Sequence, residues 1–283
     1  MFKRLYIDPL PLRWGAIFVL MAALWSLAGS AFAFDPQGIV VIRRAAGGCS
    51  GTDFTAFSTL EAHYPFDSEW PDSTANSNDL TESGVVSLET TTIVEGTGSA
   101  DFSVGGGGDD LRIAETAMAA GHPVESTAST TGDMTYVVRA RFITGDMGAF
   151  VKLIHPSDSF TDGMAVYKDA SDFPACAVQF SAATWSSALS VDTWYSIACR
   201  WDSSDTAAEL SLVVNGTEQA NVNKDDHGVC EAADTLCMIF GANEFGSHNL
   251  QGFMDETLVF SEALSDAQLL DLHNDGAYGC GLP

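Results

Sequence analysis

Apolar and polar residues alternate along several stretches of this chain with a period of two, which is the repeat of a half-buried β-strand. Between residues 134 and 142 the apolar positions are Met134, Tyr136, Val138, Ala140 and Phe142, and the opposite side carries Thr135, Arg139 and Arg141. Residues 194–201 and 208–214 alternate in the same way. Similar short runs recur from residue 60 to residue 260 between turn residues. This pattern predicts an all-β fold of many short antiparallel strands, in a sandwich or a barrel.

One connection has a sharp local signal. Asn215-Gly216 lies between two β runs, and this dipeptide favours a two-residue type I′ turn because both residues tolerate a positive φ. We therefore expect a β-hairpin at this position.

A single helix is predicted near the end of the chain, over residues 265–275. Ser265 is the expected N-cap, and Gln268 completes a Ser-x-x-Gln capping box. Gly276 is expected to end the helix. The expected buried face consists of Leu269, Leu270 and Leu272. Such a peripheral helix would cover an open end or the convex face of a β-sandwich.

The front of the chain has the pattern of a secretory signal. Basic residues precede an apolar run over 15–27, and Ala31-Phe-Ala33 matches an A-x-A cleavage site. We therefore expect residues 1–33 to be a signal peptide and 34–58 to be a tail or an accessory strand. The alternative is a retained membrane anchor, since residues 14–33 are about long enough to span a bilayer. We expect no membrane span in the mature chain, because no second apolar run is long enough.

The charge balance narrows the range of partners. The chain has 38 acidic residues against 12 Lys and Arg, a formal net charge of −26. Nucleic acids and anionic membranes are therefore poor partners. The acidic residues are spread along the chain, which is typical of a solvated surface whose natural counterions are divalent cations.

The chain has six cysteines, an even number that suggests three disulfides in an oxidising compartment. None of them has the C-x-x-C spacing of a zinc or redox site. Of the fifteen pairings we favour one. It joins Cys176 to Cys199 on successive strands, Cys230 to Cys237 across a small loop, and Cys49 to Cys280 at the two ends of the domain. We therefore expect the protein to be secreted and to be located outside the cell, at the cell surface or in the periplasm.

A set of ordered landmarks gives the chain a family resemblance over residues 60–278. These landmarks are His63-Tyr-Pro-Phe-Asp67, Gly98-Ser-Ala-Asp-Phe102, the strand 134–142, Asp192-Thr-Trp-Tyr-Ser-Ile-Ala198, Leu212-Val-Val-Asn-Gly216 and Gly252-Phe-Met-Asp-Glu256 with Leu264-Ser265. Together they resemble the laminin G-like domain of the concanavalin A-like lectin and glucanase superfamily. The family often has Trp where this chain has Arg141 or Phe142. The resemblance implies that residues 59–279 form a jelly-roll β-sandwich, often with calcium and a face that binds carbohydrate or protein.

Asp67, Asp72 and Asp255 are the candidate ligands of a structural calcium ion. The strands that carry Asp67 and Asp255 are the first and last of the sandwich and are commonly neighbours in this fold. Calcium binds oxygen ligands of this kind. The alternative is that Asp67 and Asp72 are solvated turn residues and that Asp255 only accepts hydrogen bonds.

Glu256 is the most unusual acidic residue, because it lies within an apolar strand. By alternation it shares a face with Met254, Leu258 and Phe260, so it needs a partner, for which Arg139, Arg141 and Arg200 are the candidates. Adjacent strand residues project to opposite faces, so Asp255 and Glu256 should not form the carboxylate pair of a glycosidase. The Glu-x-Asp-x-x-Glu spacing of this superfamily's glycosidases is absent from the sequence, and we expect the protein not to be an enzyme.

Aromatic residues in loops are the candidates for stacking on a sugar. Trp185, Phe245 and His248 are the predicted ligand-binding residues, and each of them could instead cap the core. Trp70 also lies in a predicted loop, whereas Trp194 and Trp201 are expected in the core.

The sequence thus favours a secreted, non-catalytic binding module that recognises a glycan or an extracellular protein, with a structural calcium ion. One alternative is a structural or adhesive subunit that self-associates. The other is a divergent glycoside hydrolase of the same superfamily.

Overall fold

The computed structural model describes residues 30–34, 40–44, 57–94, 96–104, 109–143, 151–156, 163–178, 181–230, 236–242 and 250–274. Residues 1–29 of the predicted signal peptide lie outside the described residues, so the signal helix stays a prediction, and residues 30–33 belong to a β-strand. No helix in the described part of the chain is long and apolar enough to cross a bilayer. The chain divides into two units, residues 1–47 and 48–283. In the first, β1 (Ser30–Phe34) pairs antiparallel with β2 (Val40–Arg44).

The second unit contains two antiparallel sheets. The seven-stranded sheet has the order β12-β11-β10-β9-β16-β7-β4. Its strands are β4 (Thr81–Ser83), β7 (Asp110–Ile113), β9 (Val151–Pro156), β10 (Ala165–Lys168), β11 (Pro174–Val178), β12 (Ser181–Thr184) and β16 (Met238–Phe240). The predicted all-β architecture is therefore confirmed, as two sheets of a jelly-roll sandwich.

The eight-stranded sheet has the order β15-β14-β13-β8-β17-β6-β5, and β3 pairs with the second half of β17. Its strands are β3 (Leu60–Tyr64), β5 (Ser87–Glu89), β6 (Ser99–Asp101), β8 (Met134–Phe142), β13 (Trp194–Trp201), β14 (Leu210–Val214), β15 (Thr217–Val222) and β17 (Gly252–Phe260). The first and last strands of this unit, β3 and β17, are thus neighbours.

The alternation of β8 divides the apolar residues between two sides of this sheet. Tyr136, Val138 and Ala140 belong to the large core, which also contains residues of both sheets. Val137 belongs instead to a second cluster on the outer side. The prediction that the even-numbered positions of β8 share one buried face is confirmed.

Helix α1 (Asp266–Asn274) covers part of the outer side of the eight-stranded sheet. The predicted capping box is present. The Ser265 N–H donates to Gln268 Oε1 (2.8 Å), and the Gln268 N–H donates to Ser265 Oγ (3.4 Å). Leu269 and Leu272 are buried as predicted, but Leu270 is 42 % exposed. The prediction for Leu270 is wrong, because the apolar stripe of this short helix is narrower than three leucines.

The predicted hairpin also forms. Asn215 and Gly216 join β14 to β15 with φ values of 50° and 72°, as a type I′ turn requires.

A β-bulge interrupts β17, whose pairing with β8 shifts between Asp255 and Leu258. One extra residue reverses the alternation of side chains. As a result Met254 packs in the large core, whereas Leu258 and Phe260 pack on the outer side with helix α1. The prediction that Glu256 shares one face with these three residues is therefore wrong.

The same bulge brings Asp255 and Glu256 to one side of the sheet. Asp255 pairs across from Arg139 on the outer side. Glu256 reaches His63, which pairs with Leu258 on that side. The expectation of opposite faces fails because Glu256 has a φ of 43°, outside the extended conformation on which simple alternation depends.

Two of the predicted disulfides are present. Cys176 is bonded to Cys199 and Cys230 to Cys237. Both bonds lie in the large core, and Cys176–Cys199 links the seven-stranded sheet to the eight-stranded one. Cys49 and Cys280 lie outside the described residues, so their pairing stays a prediction.

Candidate functional site

The loop that follows β3 is organised around the carboxylate of Asp72. Asp72 Oδ1 accepts hydrogen bonds from the backbone N–H groups of His63 (3.0 Å) and Thr74 (2.9 Å). Asp72 Oδ2 accepts from the Asn78 N–H (2.9 Å) and the Thr74 hydroxyl (2.8 Å). Four donors thus converge on one buried carboxylate, which agrees with the alternative that Asp72 is a turn residue, although the turn is buried rather than solvated.

An open pocket of about 470 Å³ lies beside this loop. Trp70 and Leu80 are among the apolar residues that line it, and Glu69 and Asp79 contribute carboxylates. Leu88, from β5, also lines the pocket and is 40 % exposed. The pocket therefore combines an aromatic side chain, aliphatic surface and hydrogen-bond acceptors, which is the usual composition of a small-ligand site.

Trp70 is held in place from two sides. Its ring makes an edge contact with the ring of buried Phe66, with 6.0 Å between the centroids. Its indole N–H donates to Glu82 Oε2 over 3.4 Å, and its carbonyl accepts from the Leu80 N–H (3.0 Å). The aromatic surface in the pocket is therefore part of a supported loop.

The two pocket carboxylates have few protein partners. Asp79 Oδ1 accepts the Asp72 N–H (2.9 Å). Among the described residues Glu69 has no hydrogen bond or ion pair, and its side chain is exposed. Both carboxylates are therefore able to accept hydrogen bonds from a ligand.

Beneath the loop, His63 and Glu256 form a buried pair. His63 Nε2 lies 2.6 Å from Glu256 Oε2, and His63 Nδ1 lies 2.6 Å from the Ser73 hydroxyl. Burial lowers the pKa of His63 to about 4, although Asp72 and Asp67 oppose this shift. Burial also raises the pKa of Glu256 to about 8, with Asp67 adding to the rise and Arg139 opposing it. At neutral pH the pair is therefore uncharged, with the shared proton on Glu256.

This pair corrects the sequence-based choice of a partner for Glu256. None of the three predicted arginines makes the close contact, which is with His63. The charge of Arg139 opposes the rise in the pKa of Glu256, and Arg139 Nη2 donates to the carbonyls of Leu272 and His273 at the end of helix α1. Arg141 lies near Asp192, and Arg200 is paired with Glu218 and Asp266.

Ser73, His63 and Glu256 have the hydrogen-bond order of a hydrolase triad but lack its other parts. The backbone N–H groups of Ser73 and Thr74, which would be the nearest oxyanion donors, are bonded to the His63 carbonyl and to Asp72. The arrangement therefore holds the loop against the sheet and offers no oxyanion site at Ser73.

The other two predicted calcium ligands converge on one segment of chain. Asp255 Oδ2 accepts the Val94 N–H (2.8 Å), and its Oδ1 accepts the N–H of Glu256 (2.8 Å). Asp67 Oδ1 accepts from the backbone N–H groups of Thr97 and Gly98. Asp67 lies in the loop after β3, not on a strand as expected, and Asp255 lies on β17. The two carboxylates thus approach the same segment, while Asp72 serves its own loop. No three His, Cys, Asp or Glu side chains in the described ranges are grouped so as to hold a metal ion, and the calcium site stays a prediction.

The predicted sugar-binding residues are not brought together by what the structure describes. Trp185 is partly buried and packs against the large core. Phe245 and His248 lie outside the described residues. The expectation for Trp194 is wrong, because it pairs across from Arg141 on the outer side, with its ring 6.4 Å from that of Phe253. Trp201 is in the core as expected.

The pocket itself was missed by the sequence analysis. Trp70 was recognised as a loop aromatic, but its neighbours Glu69 and Asp79 had no periodic or motif signal. The sequence feature that could have indicated the pocket is the position of Glu69 and Asp79 on either side of Trp70 within one loop.

Comparison with known proteins agrees with this architecture. Residues 139–270 match the laminin G-type family model described as the concanavalin A-like lectin/glucanases superfamily. This match covers slightly less than half of the chain and confirms the resemblance identified from the sequence. Comparison with curated protein sequences gave no significant match.

Solved structures share the fold at low sequence identity. Domain 4 of AbnA, a GH43 extracellular arabinanase from Geobacillus stearothermophilus in complex with arabinotriose, has a TM-score of 0.54 and 16 % identity. That match covers 76 % of this chain and 98 % of the arabinanase domain. The binding domain of botulinum neurotoxin DC in complex with SialylT has a TM-score of 0.57 and 10 % identity, over 78 % of this chain and 52 % of the toxin domain. The same toxin domain with rat synaptotagmin II has a TM-score of 0.55 and 9 % identity. That match covers 78 % of this chain and 52 % of the toxin domain. The chain thus spans about half of the toxin binding domain, and these similarities show the fold alone.

Proposed function

We propose that this protein is a secreted, non-catalytic module that binds carbohydrate in the pocket beside Trp70. The observation that carries the proposal is the pocket itself, which is lined by Trp70 together with the acidic residues Glu69 and Asp79. Sugars present an apolar face of C–H groups and a rim of hydroxyl donors. A tryptophan surface with carboxylate acceptors complements both.

The superfamily and its solved members support this choice of ligand. The arabinanase domain, which the match covers almost completely, was solved with arabinotriose. A toxin binding domain, about half of which shares this fold, was solved with SialylT. The toxin domain with synaptotagmin II also makes a protein partner an alternative occupant.

The buried position of the most conspicuous acidic residues supports a non-catalytic role. Asp255 and Glu256 are 0 % and 4 % exposed and are engaged by Val94 and His63. A glycosidase needs two carboxylates that reach the glycosidic bond from opposite sides. Secretion is supported by the two buried disulfides, which are typical of an oxidising compartment.

A structural calcium ion remains part of the proposal. It is supported by the approach of Asp67 and Asp255 to one segment, between Val94 and Gly98. Its role would be to fix this segment between β3 and β17, away from the sugar itself.

The test is a binding measurement on a matched pair of tryptophan variants. Trp70 and Trp185 are both partly buried and both pack against the same core, so Trp70→Ala and Trp185→Ala carry similar structural penalties. Affinity is measured by calorimetry for ligands found on an oligosaccharide panel, and melting curves establish that each variant is folded. We expect Trp70→Ala to weaken binding about tenfold or more and Trp185→Ala to have little effect.

If Trp185→Ala weakens binding and Trp70→Ala does not, the binding site lies at Trp185, which the sequence predicted. Unchanged affinity in both variants, or no binding of any saccharide by the wild type, would reject the proposal. In the second case a panel of extracellular proteins is the next measurement.

A further inference from the structure

We infer that the Trp70 pocket selects saccharides that carry a protonated amine and discriminates against saccharides that carry carboxylate or sulfate groups. This inference rests on the proposed function and specifies the chemical class of its ligand. It follows from the charges around the pocket, because the described residues that line it include two acidic side chains and no basic one.

The pocket lining has two carboxylates and no basic residue. Glu69 and Asp79 line it, and Glu82 is adjacent through its hydrogen bond to the Trp70 indole. Neither Lys nor Arg is among the described residues that form the wall. In a chain with a formal net charge of −26, the local field at this pocket attracts cations and repels anions.

Arg112 lies on β7, next to the edge strand β4, and its side chain projects to the side of the sheet away from Glu82. Arg112 pairs across from Thr81, whereas Glu82 pairs across from Leu111, so Arg112 and Glu82 project to opposite sides of the sheet. Arg112 is also engaged by Asp110 through two hydrogen bonds. It therefore does not neutralise the pocket carboxylates.

The composition of the pocket favours an organic cation over a metal ion as its occupant. A metal ion needs several oxygen ligands around one point, and no three His, Cys, Asp or Glu side chains in the described part of the chain are so arranged. An ammonium group on a sugar gains from both parts of this pocket. It donates up to three hydrogen bonds to carboxylates, and it is attracted to the face of an indole ring.

The experiment compares three oligosaccharides of the same length and linkage, which are a glucosamine oligomer, its N-acetylated form and a glucuronate-containing form. Titrations with the full chain are carried out at about pH 6, where the amine is protonated. We expect the amine to bind about tenfold more tightly than the N-acetylated form, from one or two exposed ion pairs and a cation–π contact. The glucuronate form should bind most weakly, and the differences should shrink at about 1 M salt.

Glu69→Gln is the diagnostic variant, because the Glu69 side chain has no protein partner in the described residues and its loss should not disturb folding. We expect this variant to lose most of the preference for the amine, because its remaining amide oxygen accepts a hydroxyl from either oligomer but carries no charge. The matched control is Asp225→Asn, an exposed carboxylate that also has no partner and does not line the pocket. It should keep the wild-type preference.

The outcomes separate this inference from the function on which it rests. Equal affinity for the amine and N-acetylated oligomers, unchanged by Glu69→Gln, overturns the inference and leaves a neutral-sugar module in place. Tighter binding of the glucuronate form overturns it as well. If none of the three oligomers and no other saccharide binds, the proposed function itself fails. Titration with calcium alone checks the remaining competitor, and calcium binding that Glu69→Gln abolishes would assign the pocket to a metal ion.

Discussion

His63 of β3 and Glu256 of β17 share a buried hydrogen bond, with 2.6 Å between His63 Nε2 and Glu256 Oε2. The bond joins the first and last strands of the sandwich at the bulge in β17. Ser73 extends it to the loop that carries the Trp70 pocket. This bond joins β3 to β17 without a cation, whereas the calcium site at Asp67 and Asp255 stays a prediction.

The first prediction concerns the stability of the protein at alkaline pH. Burial raises the pKa of Glu256 from 4.5 to about 8 and lowers that of His63 from 6.5 to about 4. Between pH 4.5 and 6.5 the folded and unfolded pairs each bind one proton, so this pair adds no pH dependence there. Above pH 6.5 the unfolded pair loses its proton while the folded pair keeps it until about pH 8. The free energy of unfolding should therefore fall by about 2 kcal/mol between these values.

Glu256→Gln isolates this effect. Glutamine remains uncharged and donates to His63 Nε2 as the protonated glutamate does. Chemical denaturation at a series of pH values should show a smaller loss above pH 6.5 in the variant than in the wild type. The other buried histidines, His122 and His227, have lowered pKa values and act only on the acid side. Parallel pH profiles of variant and wild type would contradict the assignment of the proton to Glu256.

The second prediction concerns Asp72. Its carboxylate accepts three backbone N–H groups and one hydroxyl. Asp72→Ala leaves these donors unpaired in a buried site, at a cost of about 1–3 kcal/mol for each fully buried one. We expect a loss of roughly 3 kcal/mol in the free energy of unfolding, measured by urea denaturation. Asp225→Asn removes an exposed charge that has no partner among the described residues, and it should change stability by less than about 0.5 kcal/mol.

Asp72→Asn refines this test, because it keeps one acceptor oxygen and replaces the other with a donor. Its stability should lie between those of the wild type and Asp72→Ala. If Asp72→Ala is as stable as the wild type, the carboxylate does not organise the loop.

The fold was predictable from the sequence because its signals are periodic or local. The alternation of β8, the Asn215-Gly216 turn and the Ser265–Gln268 capping box each depend on residues close in the chain. These features need no knowledge of which distant strands become neighbours. The pair Cys176–Cys199 was predicted correctly, but its expected placement on successive strands is wrong, because β12 lies between β11 and β13 and the bond joins the two sheets.

The site was less predictable because it depends on long-range register and on one unusual backbone conformation. A positive φ at Glu256 has no signature in a non-glycine residue, yet it inverts the faces of everything after it in β17. His63 becomes the partner of Glu256 only through the pairing of β3 with β17. The pocket likewise depends on how Leu88 of β5 meets the loop that carries Trp70.

The third prediction concerns Gly216 in the β14–β15 turn. Its φ is +72°, and an added Cβ would lie 2.7 Å from the Cα of Leu270 in helix α1. Gly216→Ala therefore combines backbone strain with a clash against the helix backbone, and we expect a loss of about 1–3 kcal/mol in stability. Gly132→Ala is the control, because its Cβ would meet nothing closer than 3.4 Å and its φ is not positive. Equal melting temperatures for the two variants would contradict the close packing of helix α1 on this turn.

The fourth prediction decides whether calcium or backbone donors stabilise the segment around Val94. If calcium binds Asp67 and Asp255, saturation should raise the free energy of unfolding, by about 2.7 kcal/mol at a hundredfold excess over Kd. Asp255→Asn should remove most of that increase, because the amide can still accept the Val94 N–H but is a poor calcium ligand. Melting temperatures are compared in calcium and in EDTA, with Asp225→Asn as the charge-matched control. Identical melting curves for the wild type with and without the ion would reject the calcium site. The N–H groups of Val94, Thr97 and Gly98 would then be sufficient partners for these carboxylates.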